Sequence, residues 1–210
     1  APIVAAKSED VAFVVLLAGP GVKIPELMAK QLELISVAGG QSAEDAEGEV
    51  SVMTKAYDIV VESKDSEKLK SDLREYFELE WKKLSDEDRS KVGDKEAFIK
   101  PTIQTLTSPW FVYFLKFDPS NYLRATKCPV LAVNGGKDLQ VDAKQNLEGI
   151  KTALRAGGND KFVIKEFPNL NHLFQNCETG APSEYSQIEE TFSEEVLKFM
   201  TDWIRKTIEF

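Results

Sequence analysis

Residues 129–138 read Pro-Val-Leu-Ala-Val-Asn-Gly-Gly-Lys-Asp, and this stretch decides the fold. A short apolar run that is rich in valine is typical of a strand buried in a parallel sheet. Gly135 and Gly136 end the run, and Asp138 stands just past its carboxyl end. The stretch therefore predicts a strand that delivers a carboxylate to one edge of a sheet.

Two further apolar runs predict the neighbouring strands of that sheet. Residues 11–18, Val-Ala-Phe-Val-Val-Leu-Leu-Ala, indicate a strand buried on both faces. Residues 161–167, Lys-Phe-Val-Ile-Lys-Glu-Phe, predict another strand, which runs into Pro-Asn-Leu-Asn-His172. A histidine therefore follows the last strand, as an aspartate follows the one before it.

Helical patterns separate and follow these strands. Residues 22–117 carry apolar side chains at helical spacing and no convincing strand, so we expect a helical lid or cap insertion there. Residues 1–21 and 118–210 are then the core, in which Asp142 caps one helix and another closes the chain. The order of strand, helical insertion, strand, helix, strand and helix is typical of an α/β domain with parallel strands.

Composition narrows the classes of partner. Apolar residues make up 42% and charged residues 29% of the chain, as in ordinary globular domains. The net charge of −9 argues against nucleic acid, because phosphate binding needs clustered lysine and arginine. No run approaches the roughly 20 apolar residues of a membrane span. We therefore expect a small-molecule substrate, with no nucleic acid and no membrane span.

The cysteines and the single histidine imply no metal or cofactor. Cys128 and Cys177 have no CxxC spacing, and one histidine cannot complete a usual zinc site. We expect both cysteines to be free thiols. Cys177 lies near His172 in sequence, so it stays open as a thiol nucleophile.

Asp138 and His172 are the candidate catalytic residues. Histidine is the simplest general base near neutral pH, and a partner carboxylate holds its tautomer and stabilises the imidazolium. Three alternatives stay open. His172 can be a locally bonded loop residue, Asp138 can be a turn residue after two glycines, and Asp142 competes as the acid, although an N-cap suits it better.

The two segments around these residues resemble a known family. Residues 128–141, Cys-Pro-Val-Leu-Ala-Val-Asn-Gly-Gly-Lys-Asp-Leu-Gln-Val, followed by Phe-Pro-Asn-Leu-Asn-His172-Leu-Phe, resemble the acid and histidine region of the α/β-hydrolase superfamily. The likeness is greatest to bacterial serine esterases of the dienelactone-hydrolase-like branch. It implies the C-terminal half of an α/β-hydrolase sheet, with Asp138 as acid and His172 as base in the order Ser-Asp-His. The implied substrate is a carboxylic ester or thioester.

The nucleophile of that family is missing from the chain. No G-x-S-x-G motif occurs, and Ser42 lies between two predicted helices, where it is expected to be an N-cap. Residues 1–6, Ala-Pro-Ile-Val-Ala-Ala, resemble the helix that follows the family's serine. The resemblance thus implies a serine upstream of residue 1 and an inactive isolated fragment. The alternatives are a non-catalytic hydrolase-like binding protein and a prolyl-oligopeptidase-like peptidase.

The sequence also predicts a substrate-binding surface and a surface for self-association. The aromatic stretch at residues 108–117 gives Trp110, Phe111 and Phe114 as candidate substrate-binding residues, and plain core packing is the alternative. The strand at residues 11–18 is expected to have one edge without a neighbour. Because unpaired strand edges recruit other strands, we expect the fragment to self-associate there.

Overall fold

Three parallel strands form the sheet that the sequence predicts. The computed structural model describes residues 1–208, and the sheet consists of β1 (Val14–Leu17), β2 (Val130–Gly135) and β3 (Phe162–Phe167) in that order. All the strand pairs are parallel, and β2 lies in the centre. The α/β class, with helices flanking a parallel sheet, is therefore confirmed.

Helices make up most of the remaining described chain. None of those in residues 1–208 combines the length and apolar content needed to cross a membrane. In chain order they are α1 (Pro2–Ala5), α2 (Ile24–Ala38), α3 (Ala43–Glu62), α4 (Ser66–Lys83), α5 (Asp86–Val92), α6 (Lys95–Leu106), α7 (Pro109–Leu115), α8 (Pro119–Ala125), α9 (Ala143–Ala156) and α10 (Glu194–Ile208).

The chain divides into two compact units, and the first contains the sheet. It comprises Ala1–Ala46 and the chain from Asp118 onward, and the second comprises Glu47–Phe117. The sequence analysis placed residues 22–46 in the insertion, whereas they lie in the first unit. The physical reason is burial: Leu27 packs in the core with Leu131 and Val133.

Helices cover both faces of β2 because its side chains alternate between the faces. Val130 and Ala132 pack with Leu147 and Ile150 of α9 on one face. The opposite face carries residues of β2, α2 and α10, among them Leu131, Val133, Leu27 and Val196. Every residue of β2 is buried, as its continuous apolar run predicts.

The first strand is shorter and more exposed than predicted. β1 covers Val14–Leu17 instead of residues 11–18, and its register pairs Val14 with Val130 and Leu17 with Val133. The expected burial on both faces is wrong at Leu17, which is 44% exposed. Leu17 is exposed because it lines an open pocket at the carboxyl end of the sheet.

Helices are the regular structure of the second unit throughout its described residues, as the sequence predicts. Its core includes Leu73 and Phe77 of α4 and Ile99 of α6. The Tyr76 hydroxyl donates a 2.9 Å hydrogen bond to the carbonyl of Val52, which ties α4 to α3. N-caps also form here, and the Asp65 and Ser85 side chains accept main-chain hydrogen bonds at the starts of α4 and α5.

Candidate acid–base site

Asp138 and His172 meet at the carboxyl edge of the sheet. Asp138 follows the end of β2 and His172 follows the end of β3, two adjacent strands of the same direction. The Nδ1 atom of His172 lies 2.9 Å from Oδ2 of Asp138. The aspartate side chain is completely buried, and the histidine side chain is 28% exposed. The structure thus brings together the two residues singled out as acid and base.

The other oxygen of Asp138 is held by the main chain. Oδ1 accepts hydrogen bonds from the N–H groups of Gln140 and Val141, both at 2.8 Å. These bonds form the turn proposed as the alternative role for Asp138. They also compensate a buried carboxylate for lost water and fix its orientation. One oxygen therefore serves the turn, and the other faces His172.

Asp142, the competing candidate for the acid, has a different partner. Its Oδ1 accepts a 2.7 Å hydrogen bond from the N–H of Gln145, which makes it the N-cap of α9. Within residues 1–208, the side-chain partner of His172 is Asp138 and not Asp142. The N-cap prediction for Asp142 is confirmed.

Two glycines let the loops after β2 and β3 approach each other. A Cβ on Gly135 would lie 2.2 Å from the carbonyl oxygen of Leu170, and one on Gly136 would lie 2.7 Å from Cα of Pro168. The N–H of Lys137 donates a 3.0 Å hydrogen bond to that Leu170 carbonyl. Because only glycine leaves room for this backbone contact, the pair of glycines brings Asp138 to His172.

The chain after His172 is hydrogen-bonded to the loop that carries Asp138. Lys137 Nζ donates 2.9 Å hydrogen bonds to the carbonyls of Cys177 and Glu178. Gly180 has φ +81°, and a Cβ there would lie 1.9 Å from the carbonyl oxygen of Lys137. A 3₁₀ turn, Pro182–Gln187, follows in the same segment. The segment after His172 is therefore held against the Asp138 loop by hydrogen bonds.

Tyr185 belongs to the same surroundings. Its hydroxyl accepts a 2.9 Å hydrogen bond from Nε2 of Gln140. Burial raises the pKa of Tyr185, the bond from Gln140 opposes this rise, and the negative charge of Asp138 adds to it. Tyr185 therefore stays protonated at neutral pH and is a neutral group beside the acid.

Both cysteines are free and half-buried, as expected. Burial raises the pKa of the Cys177 thiol, and the positive charge of Lys137 opposes the rise. Burial likewise raises the pKa of Cys128. Because the thiolate is the reactive form, these directions count against Cys177 as a nucleophile at neutral pH.

A pocket of about 530 Å³ opens beside His172 within the first unit. Apolar side chains form much of its wall, and glutamates and a threonine lie at residues 189–191. The lining comprises Leu17, Ala18, His172, Leu173, Phe174, Gln175, Ile188, Glu189, Glu190, Thr191 and Phe192. A volume of this size accommodates a small organic group next to the imidazole.

The second ring nitrogen of His172 makes no hydrogen bond within residues 1–208. Thr191 lines the same pocket without bonding the ring. Ser42 is an N-cap as predicted, and its Oγ accepts a 3.1 Å hydrogen bond from the N–H of Asp45. In the described chain the Asp138 carboxylate and the His172 imidazole are thus in contact, and Nε2 faces no protein partner.

The predicted substrate-binding aromatics lie together in the second unit. Trp110 and Phe114 share a face of α7, as their spacing predicts, and their rings stack with centroids 5.0 Å apart. Phe111 lies 6.1 Å from Trp110, centroid to centroid. Trp110 is 67% exposed, so the plain-packing alternative does not describe its side chain. Their role in substrate binding stays a prediction.

The sequence analysis missed the amides that flank the histidine. Asn171 and Gln175 are both buried, and their side chains bond to each other. The sequence offers only an asparagine directly before His172 and a glutamine three residues after it. The Gln175 amide also donates to the carbonyl of Glu190, 15 residues away, and a local pattern does not show that contact.

Comparison of the chain with protein-family models, with curated proteins and with solved structures finds no match in any of the three.

Proposed function

We propose that Asp138 and His172 are the acid and the general base of a serine hydrolase that cleaves carboxylic esters or thioesters. One observation carries the proposal: a completely buried carboxylate lies 2.9 Å from Nδ1 of a partly exposed histidine that lines a pocket. Nucleophile, base and acid in hydrogen-bonded sequence are the recurring arrangement of such enzymes, and the contact between Asp138 and His172 supports their assignment as acid and base.

The geometry supports a specific division of work. With its proton on Nδ1 and donated to Asp138, the imidazole has a lone pair on Nε2, which takes the proton of an attacking hydroxyl. The Asp138 carboxylate then stabilises the imidazolium, while the N–H groups of Gln140 and Val141 hold that carboxylate in place. His172 passes the proton to the leaving group, and the same residue activates water to hydrolyse the acyl-enzyme.

We place the serine on a segment that precedes residue 1. In the described chain, β1 has a partner strand on one side only, so its other edge is open to a further parallel strand. Parallel strands end at a common edge of a sheet, and a serine at the end of such a strand would arrive beside His172. This arrangement would make the sheet the C-terminal half of an α/β-hydrolase sheet. It also implies that the 210-residue chain alone hydrolyses no ester.

For the second unit, we propose that Trp110, Phe111 and Phe114 bind an apolar part of the substrate. The stacked, exposed ring of Trp110 supports this role, because exposed clusters of large apolar side chains mark binding surfaces. Trp110→Ala is then expected to raise KM for an ester with a bulky acyl group more than KM for an acetate ester.

The test uses the product of the complete gene and the hydrolysis of p-nitrophenyl acetate. Asp138→Asn and His172→Ala are each expected to lower kcat by roughly 10³- to 10⁴-fold, the scale on which such triads respond. Asp142→Asn is the matched control, and because asparagine also caps helices, its kcat should stay within about twofold of wild type.

Three outcomes would overturn the proposal. Unchanged turnover by His172→Ala removes the base, and turnover by the 210-residue chain itself removes the upstream serine. Failure of a fluorophosphonate probe to label any serine of the complete gene product favours the non-catalytic binding protein instead.

A further inference from the structure

The turn that carries His172 is closed by its own hydrogen bonds. The N–H of Asn171 donates to the carbonyl of Gln175 at 3.0 Å. The side-chain oxygen of Asn171 accepts from the N–H groups of Leu173 and Gln175, at 2.9 and 3.0 Å. Asn171 and Gln175 thus bracket the histidine from both sides, and the main chain at His172 has little freedom.

The two amide side chains also bond to each other. Nδ2 of Asn171 donates to Oε1 of Gln175 at 2.9 Å, and Nε2 of Gln175 donates to the carbonyl of Glu190 at 2.9 Å. Asn171 is completely buried and Gln175 is 6% exposed. Because unpaired buried amides are costly, these bonds fix the orientation of both amides. Reversing the Asn171 amide would aim its NH₂ group at two N–H donors.

Phe174 also connects the turn that carries His172 to the segment that contains Glu190. Phe174 has φ +58°, a left-handed conformation that disfavours residues with a side chain. Its buried ring stacks on Phe192 with centroids 5.2 Å apart, and its carbonyl accepts a 2.8 Å hydrogen bond from the N–H of Ser193. These contacts hold the left-handed turn that directs the chain back after His172.

We infer that Asn171 and Gln175 are positioning residues, which hold the His172 ring against Asp138 and lock it to the pocket wall at residues 188–193. Within residues 1–208 the ring makes a single hydrogen bond, to Asp138, so its direction depends on the turn that carries it. The same two amides connect that turn to Glu190, which lines the pocket with His172. A change in the 188–193 segment is therefore transmitted to the base. The inference rests on the proposed function only in taking His172 as that base.

The test uses the fact that the chain contains one histidine. The ¹⁵N NMR spectrum of the 210-residue chain therefore shows a single imidazole, and its shifts report the ratio of Nδ1–H to Nε2–H tautomers when the ring is neutral. Gln175→Leu removes both amide bonds at similar side-chain size. We expect the ratio of Nδ1–H to Nε2–H to fall roughly threefold to tenfold, the scale of one misaligned hydrogen bond.

Two further variants keep the inference falsifiable. Gln175→Glu retains the acceptor for Asn171 but loses the donor to Glu190, so a smaller fall in the tautomer ratio is expected. If Gln175→Leu does not fold, the Gln175→Glu variant provides the test. Gln187→Leu makes the same replacement at an exposed glutamine, whose Nε2 donates to the carbonyl of Ser183, and it should leave the ratio unchanged. Folded Gln175→Leu and Gln175→Glu chains with the wild-type ratio would overturn the positioning role.

The outcome is separable from the proposed function. Hydrolysis by the complete gene product that survives Asp138→Asn would reject the catalytic proposal, whatever the tautomer ratio. A changed ratio in the Gln175 variants would still establish that the amides position the ring. An unchanged ratio together with hydrolysis that depends on Asp138 would reject the positioning role alone.

Discussion

The two oxygens of Asp138 have different partners, and this difference lets a turn residue also contact the histidine. Oδ1 accepts two main-chain hydrogen bonds, and Oδ2 faces Nδ1 of His172. In Asp138→Asn the side-chain amide therefore has one favourable orientation, because only its oxygen can accept from the N–H groups of Gln140 and Val141. The NH₂ group must then face the histidine.

A second prediction at the scale of single residues concerns Tyr57 and the pH dependence of the free energy of unfolding. Burial raises the pKa of Tyr57 to about 12, and the Glu49 carboxylate adds to the rise. The unfolded chain releases this proton near pH 10. The stability that Tyr57 contributes is therefore fully present below pH 10 and is lost as the pH rises from 10 to 12. The loss is on the order of 2 kcal/mol.

Urea unfolding followed by circular dichroism at several pH values between 9 and 12 measures this loss. Tyr57→Phe should flatten the fall in the free energy of unfolding above pH 10, and Tyr76, whose pKa burial also raises to about 12, should account for part of the remaining slope. Tyr113→Phe, at a 63% exposed position, controls for the loss of one hydroxyl. Equal slopes for wild type and Tyr57→Phe would contradict the account.

At the scale of elements, the contact between the ends of β2 and β3 depends on glycine. In Gly135→Ala the new Cβ would lie 2.2 and 2.5 Å from the carbonyl oxygens of Leu170 and Asn171. Backbone atoms cannot rotate away, so we expect the free energy of unfolding to fall by about 1–3 kcal/mol or more. Gly48→Ala is the control, because its Cβ meets nothing within 4 Å in α3.

The control should be neutral or slightly stabilising, since alanine favours helices by up to about 1 kcal/mol over glycine. Urea denaturation of both variants gives the comparison. A Gly135→Ala protein as stable as wild type would show that the two loops separate without cost, and that their contact does not hold the pair.

Elements with local signals were predictable from the sequence, and those defined by distant partners were not. Asp142 caps α9 and Ser42 caps α3, as the residues around them indicate. The placement of α2 in the first unit depends on burial of Ile24 and Leu27, which no local pattern reveals. The Asp138–His172 pair was predictable because each residue follows a strand, and such strand ends share an edge.

The hydrogen bonds of Asn171 and Gln175 on either side of His172 could not be predicted from local sequence patterns. Bonds of this loop run from Gln175 to Glu190 and from Ser193 to Phe174, across 15 residues in the first case. The polar character of this loop is equally typical of a solvated segment. Only the fold shows that these particular groups are buried and paired.

At the scale of the whole molecule, the open edge of β1 predicts association. β1 is paired on one side within the described chain, and the side chain of Leu17 is 44% exposed. We expect the 210-residue chain to self-associate at high micromolar concentration, because unpaired edges recruit further strands. Leu17→Lys should weaken this association, since a charge on an edge strand opposes pairing.

Sedimentation velocity across a concentration series measures the association. Leu197→Lys makes the same change at a 46% exposed leucine of α10, and it should associate like wild type. A chain that stays monomeric at every concentration, or a Leu197→Lys effect equal to that of Leu17→Lys, would contradict a role for the β1 edge.

The central claim is that Asp138 sets the proton of His172 on Nδ1 and so leaves Nε2 as the base. The most direct measurement is the ¹⁵N spectrum of the neutral imidazole in wild type, Asp138→Asn and Asp142→Asn. We predict the Nδ1–H tautomer in wild type and in Asp142→Asn, and the Nε2–H tautomer in Asp138→Asn. The same tautomer in all three proteins, or Nε2–H in wild type, would contradict the claim.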